Sequence, residues 1–272
     1  MSEKGAGSAT GPYGASRLEA EIQAAIDRGD LRPGDQMPTT SELAYRYAVN
    51  KNTVSRAISN LKAAGVLTGP AGGRTWVRVR PPRITRHNVR YHREKERVLL
   101  PEHERAQDGV AETDTGMSIR DVYEDTYCYD LVAGPDDVRA IFELPDSEQL
   151  LRRTHQRRHA ARAGASGSTS YIPYILVNRN PDLLDSDHEP WPGGTMHQLH
   201  TVGIELDHID DRIVVEMPTR EEQQLLDIPT GVPLIRLRKV SWSTDGRAVE
   251  VSDIPLPADR TELIYTTPLD RW

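Results

Sequence analysis

The fold of the N-terminal third is decided by residues 39–65, which read TTSELAYRYAVNKNTVSRAISNLKAAG. Thr39, with Glu42 three positions later, has the pattern of a capping box at the start of a helix. Asn50 can cap a second helix through its side-chain oxygen, and Gly65 is typical of the position just after a helix end. The stretch therefore predicts two short helices joined by a tight turn.

Another helix is predicted upstream of this pair, and a hairpin downstream. Apolar residues recur at helical spacing from Ala15 to about Arg28, where Gly29 ends the pattern. Two short β-like runs, residues 66–68 and 75–79, flank a glycine-rich loop. Three helices followed by a hairpin describe a winged helix-turn-helix, whose third helix enters the major groove of DNA.

The predicted third helix has a polar, basic face opposite its apolar stripe. A lysine can reach guanine acceptors and an asparagine can pair with adenine, whereas a threonine hydroxyl and a helix N-terminus suit phosphate oxygens. The alternative is that these residues only solvate a surface helix. The basic charge of the segment favours DNA contact, and the candidate residues are Lys51, Asn52, Thr53, Ser55 and Arg56.

Charge is distributed unevenly along the 272 residues. Residues 1–90 carry 14 Lys and Arg against 7 Asp and Glu, whereas residues 91–272 carry 20 against 34. Such an asymmetry favours a polyanionic partner for the first segment alone. The acidic second segment is therefore not expected to bind DNA.

Composition excludes several classes of protein. The single cysteine, Cys128, excludes an internal disulfide framework and a multi-thiolate metal site. No apolar run approaches the roughly 18 residues of a membrane span, and the first residues lack the apolar core of a secretory signal. We therefore expect a cytoplasmic protein with no membrane partner. The sequence offers no motif for a catalytic residue, a metal site or a cofactor.

The second half contains an internal repeat. Residues 144–152, LPDSEQLLR, are answered by residues 228–236, IPTGVPLIR, and the run SYIP at 170–173 is answered by SDIP at 252–255. Each copy predicts a short helix, a proline turn, a long strand, a turn and a second strand. Two such hairpins are expected to pair in one antiparallel sheet covered by helices, which is an α+β domain.

These patterns divide the chain into four predicted segments. Residues 1–14 are a flexible tail, 15–80 the winged helix-turn-helix, 81–97 a basic linker stiffened by a proline pair, and 98–272 the second domain.

Within residues 15–80, the runs LRPGDQMP (31–38), VNKNTVSRA (49–57) and LKAAG (61–65) resemble the DNA-binding domain of GntR-family transcription regulators. The resemblance implies that Lys51, the basic residue at the start of the recognition helix, helps to read the operator, and that the glycine-rich loop forms a wing on the DNA. Ser41 and Ser55 stand where arginine is common in the family. This difference affects which operator sequence the protein is expected to read, and not the way in which it binds DNA. The resemblance brings seven further residues into the set of DNA-binding candidates. They are Thr39, Ser41, Asn50, Ala71, Gly72, Gly73 and Arg74.

The second half resembles the UTRA effector domain of the HutC-type branch of that family, which has a chorismate-lyase-like fold. The repeat, the run SYIP and the terminal pair Asp259-Arg260 carry this resemblance. In such domains the ligand lies between the two hairpin units, often held by paired arginines and an acid. The resemblance implies an effector site of His155, Arg157, Tyr171 and Glu250, with His155 where an arginine is common and Ser168 where an acid is common.

Together, the two resemblances imply a homodimeric transcription regulator that binds a two-fold-symmetric operator in double-stranded DNA. We expect a repressor that a small-molecule effector releases. Two alternatives stay open. One is an effector-independent repressor whose second domain only dimerises, and the other is an enzyme, since the chorismate-lyase-like fold also occurs in a lyase.

Overall fold

The computed structural model describes residues 14–70, 72–81, 83–106, 122–159 and 165–269. Contacts divide the chain into two compact units: Met1–Arg80 with Pro229–Gly231, and Pro81–Ile228 with Val232–Trp272. Apart from Gly14, the predicted tail of residues 1–14 lies outside the described residues, and so does Ala71 of the predicted wing.

The first unit holds three helices and a short hairpin, as the sequence predicts. The helices are α1 (Ala15–Asp27), α2 (Thr40–Arg46) and α3 (Lys51–Ala63), and the hairpin pairs β1 (Leu67–Thr68) with β2 (Trp76–Val77). Its core includes Leu18, Ile22, Leu43, Val54 and Leu67. The segment before α2 extends the hairpin, because the N–H of Gly34 donates to the carbonyl of Val77 at 2.9 Å.

Side-chain caps fix the starts of α2 and α3. The Thr39 hydroxyl oxygen accepts from the N–H of Glu42 at 3.2 Å, and the Glu42 carboxylate accepts from the N–H of Thr39 at 2.7 Å. The predicted capping box is therefore confirmed. Asn50 Oδ1 accepts from the N–H of Thr53 at 2.7 Å. These caps satisfy N–H groups that have no partner inside the helix, and each typically contributes about 1 kcal/mol.

The second unit combines one large sheet with short helices. Its strands are β3 (Ile84–His87), β4 (Val122–Val132), β5 (Leu150–His159), β6 (Ala165–Pro173), β7 (Leu206–Glu216), β8 (Leu234–Ser243), β9 (Ala248–Pro257) and β10 (Thr261–Ile264). Its helices are α4 (Arg90–Arg97), α5 (Glu102–Arg105), α6 (Asp136–Phe142), α7 (Tyr174–Val177), α8 (Gly194–Thr201) and α9 (Arg220–Leu225), with 3₁₀ turns at Pro181–Leu184 and Ser186–His188. Within the described ranges, no helix is long and apolar enough to cross a bilayer.

Six strands form one antiparallel sheet in the order β4-β5-β6-β9-β8-β7. The halves β4-α6-β5-β6 and β7-α9-β8-β9 have the same element order, which confirms the repeat and the α+β class. They meet where Ser170 of β6 lies opposite Ser252 of β9. These two serines open the matching runs SYIP and SDIP, so the copies are related by an approximate two-fold axis through the centre of the sheet.

Each half has one strand more than the sequence predicts. β4 and β7 form the two edges of the sheet. Most side chains of β7 are exposed, so the strand lacks the alternation of buried and exposed residues by which a half-buried strand is recognised.

The prediction of a linker over residues 81–97 is wrong, because this segment contains β3 and α4. β3 pairs in parallel with β10, which lies far along the chain. The sequence of α4, RYHREKER, has almost no apolar residue to signal a helix. Order in this segment comes from tertiary contacts that local patterns do not show.

Alternation along the strands gives the sheet two faces. The α6 face packs Leu150, Tyr171 and Val240 against Val138 of α6. The α8 face packs Leu151 and Ile172 with residues of α7 and α8. The predicted effector residues are distributed over both faces.

Candidate DNA interface and effector site

α3 presents a polar face to solvent. Val54, Ala57 and Leu61 are buried, as the predicted apolar stripe requires. On the rest of the surface the exposed side chains include Lys51, Asn52, Ser55 and Arg56. Lys51 and Asn52 lie in the first turn, the part of a recognition helix that is nearest to the base edges. These four predicted residues are therefore accessible to DNA.

The side chains that cap α2 and α3 already make hydrogen bonds within the chain. Asn50 Oδ1 accepts from both the N–H and the hydroxyl of Thr53, at 2.7 and 3.0 Å. The hydroxyl of Thr39 donates to Glu42 at 2.8 Å. A contact from either threonine hydroxyl to a phosphate would compete with these bonds. Asn50, Thr53 and Thr39 therefore have a structural role that the DNA-binding prediction must accommodate.

The predicted wing is anchored at its base by Lys62. The Lys62 ammonium donates to the carbonyls of Gly69 and Pro70, each at 3.1 Å. These two bonds direct the Lys62 side chain, which belongs to α3, towards the base of the wing. Beyond the base, Gly72, Gly73 and Arg74 are exposed.

α2 carries one exposed aromatic residue that sequence reasoning missed. Tyr45 is 91 % exposed and lies one turn after Ser41, which is also exposed. Tyrosine hydroxyls are among the groups that contact phosphates in protein–DNA complexes. The apolar face of α2 indicates the exposure of Tyr45. Leu43 and Tyr47 pack on the core, and Tyr45 lies outside the face that they form.

The second unit buries a charged cluster on its α8 face. Arg153 of β5 pairs with Glu250 of β9 at 3.0 Å, and Lys239 of β8 lies 2.8 Å from the second oxygen of Glu250. Ser241 donates to the same carboxylate at 3.0 Å. Burial raises the pKa of Glu250, but the charges of Lys239 and Arg153 outweigh it, so the pKa lies below its usual range. The carboxylate is held ionised.

Arg153 also joins the sheet to α8. Its guanidinium donates to Gln198 at 2.5 Å and to Thr195 at 3.3 Å, and its Nε donates to Ser170 at 3.1 Å. Gln198 in turn donates to Glu189 at 2.9 Å. Arg153 thus links strands of both repeat halves to the helix that covers them.

A second charged group, centred on Asp125 of β4, lies on the same face. Its carboxylate pairs with His155 at 2.5 Å and with Arg157 at 2.6 Å, and it accepts from the hydroxyl of Tyr127 at 3.1 Å. Burial raises the pKa of Asp125, but the hydrogen bonds from His155 and Arg157 outweigh it and hold the pKa at about 2. The His155 ring stacks on Tyr127 with centroids 4.4 Å apart.

The structure brings His155 and Arg157 together and separates Tyr171 from them. His155 and Arg157 share a partner, as residues two apart on a strand can. Glu250 lies on the same face but is paired with Arg153 instead of Arg157. Tyr171 lies opposite Arg152 and packs in the core of the α6 face. Tyr171 therefore lies on the opposite face of the sheet from His155, Arg157 and Glu250, because it pairs with Arg152 and not with Arg153.

Two cavities of the second unit lie elsewhere. One of about 390 Å³ lies between α4 and β7 and is lined by residues that include Tyr91, Asp211 and Tyr265. Another of about 170 Å³ is lined by residues that include Phe142 and Trp242. Neither cavity is lined by a predicted effector residue.

Sequence analysis did not name Arg153 as a candidate. It lies two residues before His155 and four before Arg157, so alternation along the strand places all three on one face.

Both units match family models. The model described as "Bacterial regulatory proteins, gntR family" matches residues 15–77, and the model described as "UTRA domain" matches residues 125–262, about half of the chain. The chain belongs to the GntR family of bacterial regulatory proteins and carries a UTRA domain. As a GntR-family protein it is a DNA-binding transcription regulator, and the alternative of an enzyme is excluded.

Curated relatives of this GntR-family chain match over most of their length. An uncharacterized HTH-type transcriptional regulator of Streptomyces coelicolor is 27% identical over 232 residues, which cover 83% of this chain and 81% of the relative. The HTH-type transcriptional repressor NagR of Bacillus subtilis is 20% identical and covers 92% of each chain. The mannosyl-D-glycerate transport/metabolism system repressor MngR of Escherichia coli is 24% identical and covers 87% of this chain and 88% of its own.

Solved structures show the same fold. A crystal structure of a GntR-family transcriptional regulator superposes with a TM-score of 0.60 at 20% identity, over 94% of this chain and 98% of the other. PhnF from Mycobacterium smegmatis superposes with a TM-score of 0.51 at 18% identity, over 93% of this chain and all of the other. The winged helix-turn-helix and the UTRA sheet are therefore a shared architecture.

Proposed function

We propose that this chain is a repressor that acts in the cytoplasm as a homodimer on a two-fold-symmetric operator and is released by a small polar, anionic effector. Three of its relatives have names that describe repressors, namely NagR, MngR and a probable fructoselysine utilization operon repressor of Escherichia coli. Two-fold operators mirror the symmetry of dimeric helix-turn-helix proteins.

On the DNA side, the proposal assigns base reading to α3. Lys51 and Asn52 are exposed in its first turn, and Arg56 is exposed one turn further on. The wing residues Gly72, Gly73 and Arg74 are proposed to lie along the phosphate backbone, where Arg74 supplies charge and the glycines allow close approach. Ser41 and Tyr45 of α2 are proposed phosphate contacts.

The observation that carries the effector proposal is the buried charge on the α8 face. Arg153 and Glu250 are 9 % and 2 % exposed at their side chains, and Arg157 is equally buried. Charges taken out of water cost free energy unless they are paired, and clusters of ionisable groups with shifted pKa values are typical of functional sites. The Nε of Arg157 is buried and has no hydrogen-bond partner among the described residues. That donor is available to a ligand.

The chemistry of the cluster supports one class of ligand. Arg157 offers a fixed fork of donors that suits a carboxylate or a phosphate, and His155 adds a second donor or acceptor. Mannosyl-D-glycerate and fructoselysine, which occur in the names of two relatives, both combine sugar hydroxyls with a carboxylate. We propose a ligand of this class, a sugar derivative that carries a carboxylate or a phosphate, whose acidic group replaces Asp125 as the partner of Arg157. Binding would shift the population between states with different affinity for the operator.

A second candidate function is repression without an effector, with the UTRA domain as a dimerisation unit. It is favoured by the saturation of Arg153, which already donates to Glu250, Gln198, Thr195 and Ser170. In this case the cluster serves only to fix the sheet against α8.

The experiment is operator release measured against a panel of sugar phosphates, sugar acids and amino sugars. His155→Ala is expected to raise the concentration needed for half-release by about tenfold, because one hydrogen bond to a charged ligand is lost. Thr154→Ala is the control, since Thr154 lies on the same strand and faces the other way. A panel in which no compound releases the wild type would favour the second candidate.

A further inference from the structure

β7 is an edge strand of the sheet, and its C-terminal part exposes apolar side chains. One side of the strand pairs with β8 over residues 206–216, and no strand of the described residues pairs with its other side. Near its end Val214, Val215 and Met217 are 54%, 63% and 58% exposed. An uncovered apolar edge strand is a template for pairing with another chain. Such an edge calls for a partner.

The direction of the backbone groups of β7 follows from the hairpin beside it. The N–H of Ser243 in β8 donates to the carbonyl of Arg247, so odd-numbered residues of β8 turn their backbone groups to β9. Even-numbered residues of β8 therefore turn to β7, where Arg236 lies opposite Val214. Because successive residues of a strand alternate, Ile213 and Val215 of β7 turn their N–H and C=O groups outward, to the unpaired edge.

A second copy of β7 can pair antiparallel with this edge only in certain registers. In these registers, residues whose N–H and C=O groups point outward, such as Ile213 and Val215, lie opposite each other. A two-fold axis at Val214 meets this condition, because Ile213 then lies opposite Val215 of the other copy. Val214 lies opposite itself in a pair without hydrogen bonds, where side chains are closest, and the next such pair joins Arg212 to Glu216.

Charge favours this register over those with the axis at Ile213 or at Arg212. With the axis at Val214, the side chains of Arg212 and Glu216 meet twice across the strands, which is favourable. An axis at Ile213 would place Asp210 opposite Glu216, and an axis at Arg212 would place two arginines together. Arg212 has no ion-pair partner among the described residues of its own chain, whereas Glu216 is shared with Arg236 at 2.7 Å. The axis at Val214 supplies the missing partner.

We propose that two copies of this chain dimerise through β7, antiparallel, with the two-fold axis at Val214, so that the sheet continues across the interface. The proposal rests on the homodimer of the proposed function and specifies its surface and register. The pairing satisfies the outward N–H and C=O groups of Ile213 and Val215 and brings the Val214 side chains of the two copies into contact, which removes the exposed edge.

Single-cysteine variants test the register. Each variant is made in the full-length chain with Cys128→Ser, because Cys128 is exposed. Opposed residues without hydrogen bonds lie about 4.5 Å apart at Cα, within the range of a disulfide, so Val214→Cys is expected to form a cross-linked dimer under mild oxidation. In Val215→Cys and in Ile213→Cys, the Cα atoms of the two cysteines lie about 8 Å apart, which is beyond that range. These two variants are therefore expected to form no cross-linked dimer. Preferential cross-linking at 213 or 215 overturns the register.

Charge reversal tests the same interface without oxidation. Arg212→Glu is expected to raise the dimer dissociation constant by roughly tenfold or more, because two attractive cross-strand pairs become repulsive. Adding Glu216→Arg should recover at least part of the loss, and Arg220→Glu, an exposed change outside the strand, is the control. An unchanged dissociation constant in Arg212→Glu overturns the proposal.

The outcomes separate this inference from the function on which it rests. A wild type that is dimeric in sedimentation and binds a two-fold operator, but does not cross-link at 214, overturns the β7 interface and leaves the proposed function intact. A wild type that is monomeric both in solution and on DNA overturns the homodimer itself.

Discussion

Arg153 of β5 and Glu250 of β9 form an ion pair of 3.0 Å across the centre of the UTRA sheet. The two residues come from the two halves of the internal repeat, so the pair ties one copy to the other. Lys239 completes the cluster at 2.8 Å from Glu250. Arg153 and Glu250 are buried and the Lys239 side chain is 13 % exposed, so the cluster is sensitive to the loss of any single charge.

Removal of Glu250 is expected to destabilise the second unit strongly. Glu250→Ala leaves Arg153 and Lys239 buried without their counter-charge, which costs about 3–5 kcal/mol of unfolding free energy. Arg157 and Glu250 are both buried, so neither is expected to behave like an exposed polar residue, whose truncation costs little. Thermal unfolding of the full chain measures the change.

The matched control is Glu124→Ala, on the edge strand β4, where the carboxylate is exposed. This change is expected to stay within about 0.5 kcal/mol. Equal stability losses in the two variants would contradict the description of Glu250 as a buried counter-ion.

Asp125 predicts a pH dependence of stability. The hydrogen bonds from His155 and Arg157 hold its pKa at about 2, against 3.8 in the unfolded chain. A carboxyl with a lowered pKa stabilises the fold above its unfolded pKa, and this stabilisation is lost as the pH falls through the folded pKa. The advantage of the wild type over Asp125→Asn, on the order of 1–2 kcal/mol, should be present at pH 5 and vanish towards pH 2.

The measurement is urea unfolding of both proteins at several pH values between 5 and 2. A stability difference that is constant over this range would show that Asp125 does not act through its charge.

The wing predicts a contrast between two glycines. Gly69 has a φ of +129°, and a Cβ there would lie 2.3 Å from the carbonyl oxygen of Arg74. Gly69→Ala must therefore shift the wing and is expected to weaken DNA binding and to lower the unfolding temperature of the first unit. Gly72 also has a positive φ, of +70°, but a Cβ there meets nothing within 4 Å.

Gly72→Ala is accordingly expected to cost only the roughly 1 kcal/mol of a left-handed residue with a side chain. Calorimetry and titration with DNA separate the two variants. If Gly72→Ala impairs folding as much as Gly69→Ala, close packing at the base of the wing is not the cause.

The parts of the fold that sequence reasoning reached are those with local signals. The capping pair Thr39–Glu42 and the apolar stripe of α3 could be predicted because each depends on residues three or four apart. β7 and the segment from β3 to α4 were not, because their order depends on pairing with distant strands.

The proposed effector site could be predicted from the sequence only in part, for the same reason. The spacing of His155 and Arg157 placed them together, since alternation along one strand is a local property. The relation of Tyr171 to Arg153 depends on the register of β5 with β6, which no local pattern contains. Asp125 and Lys239 were missed because they reach the site from strands that sequence analysis either did not predict or could not align.

The central claim, that α3 reads a two-fold operator through Lys51, is tested most directly by selecting binding sites from a random DNA duplex library. The wild type is then titrated on the selected site and on a scrambled duplex, at two salt concentrations, beside Lys51→Ala and Arg74→Ala. We expect the wild type to select an inverted repeat. Lys51→Ala is expected to lose about 1–3 kcal/mol of binding free energy on the selected site alone. Arg74→Ala is expected to bind both duplexes more weakly and to show a smaller dependence of affinity on salt. Selection of a site without two-fold symmetry, or wild-type affinity of Lys51→Ala for the selected site, would contradict the account.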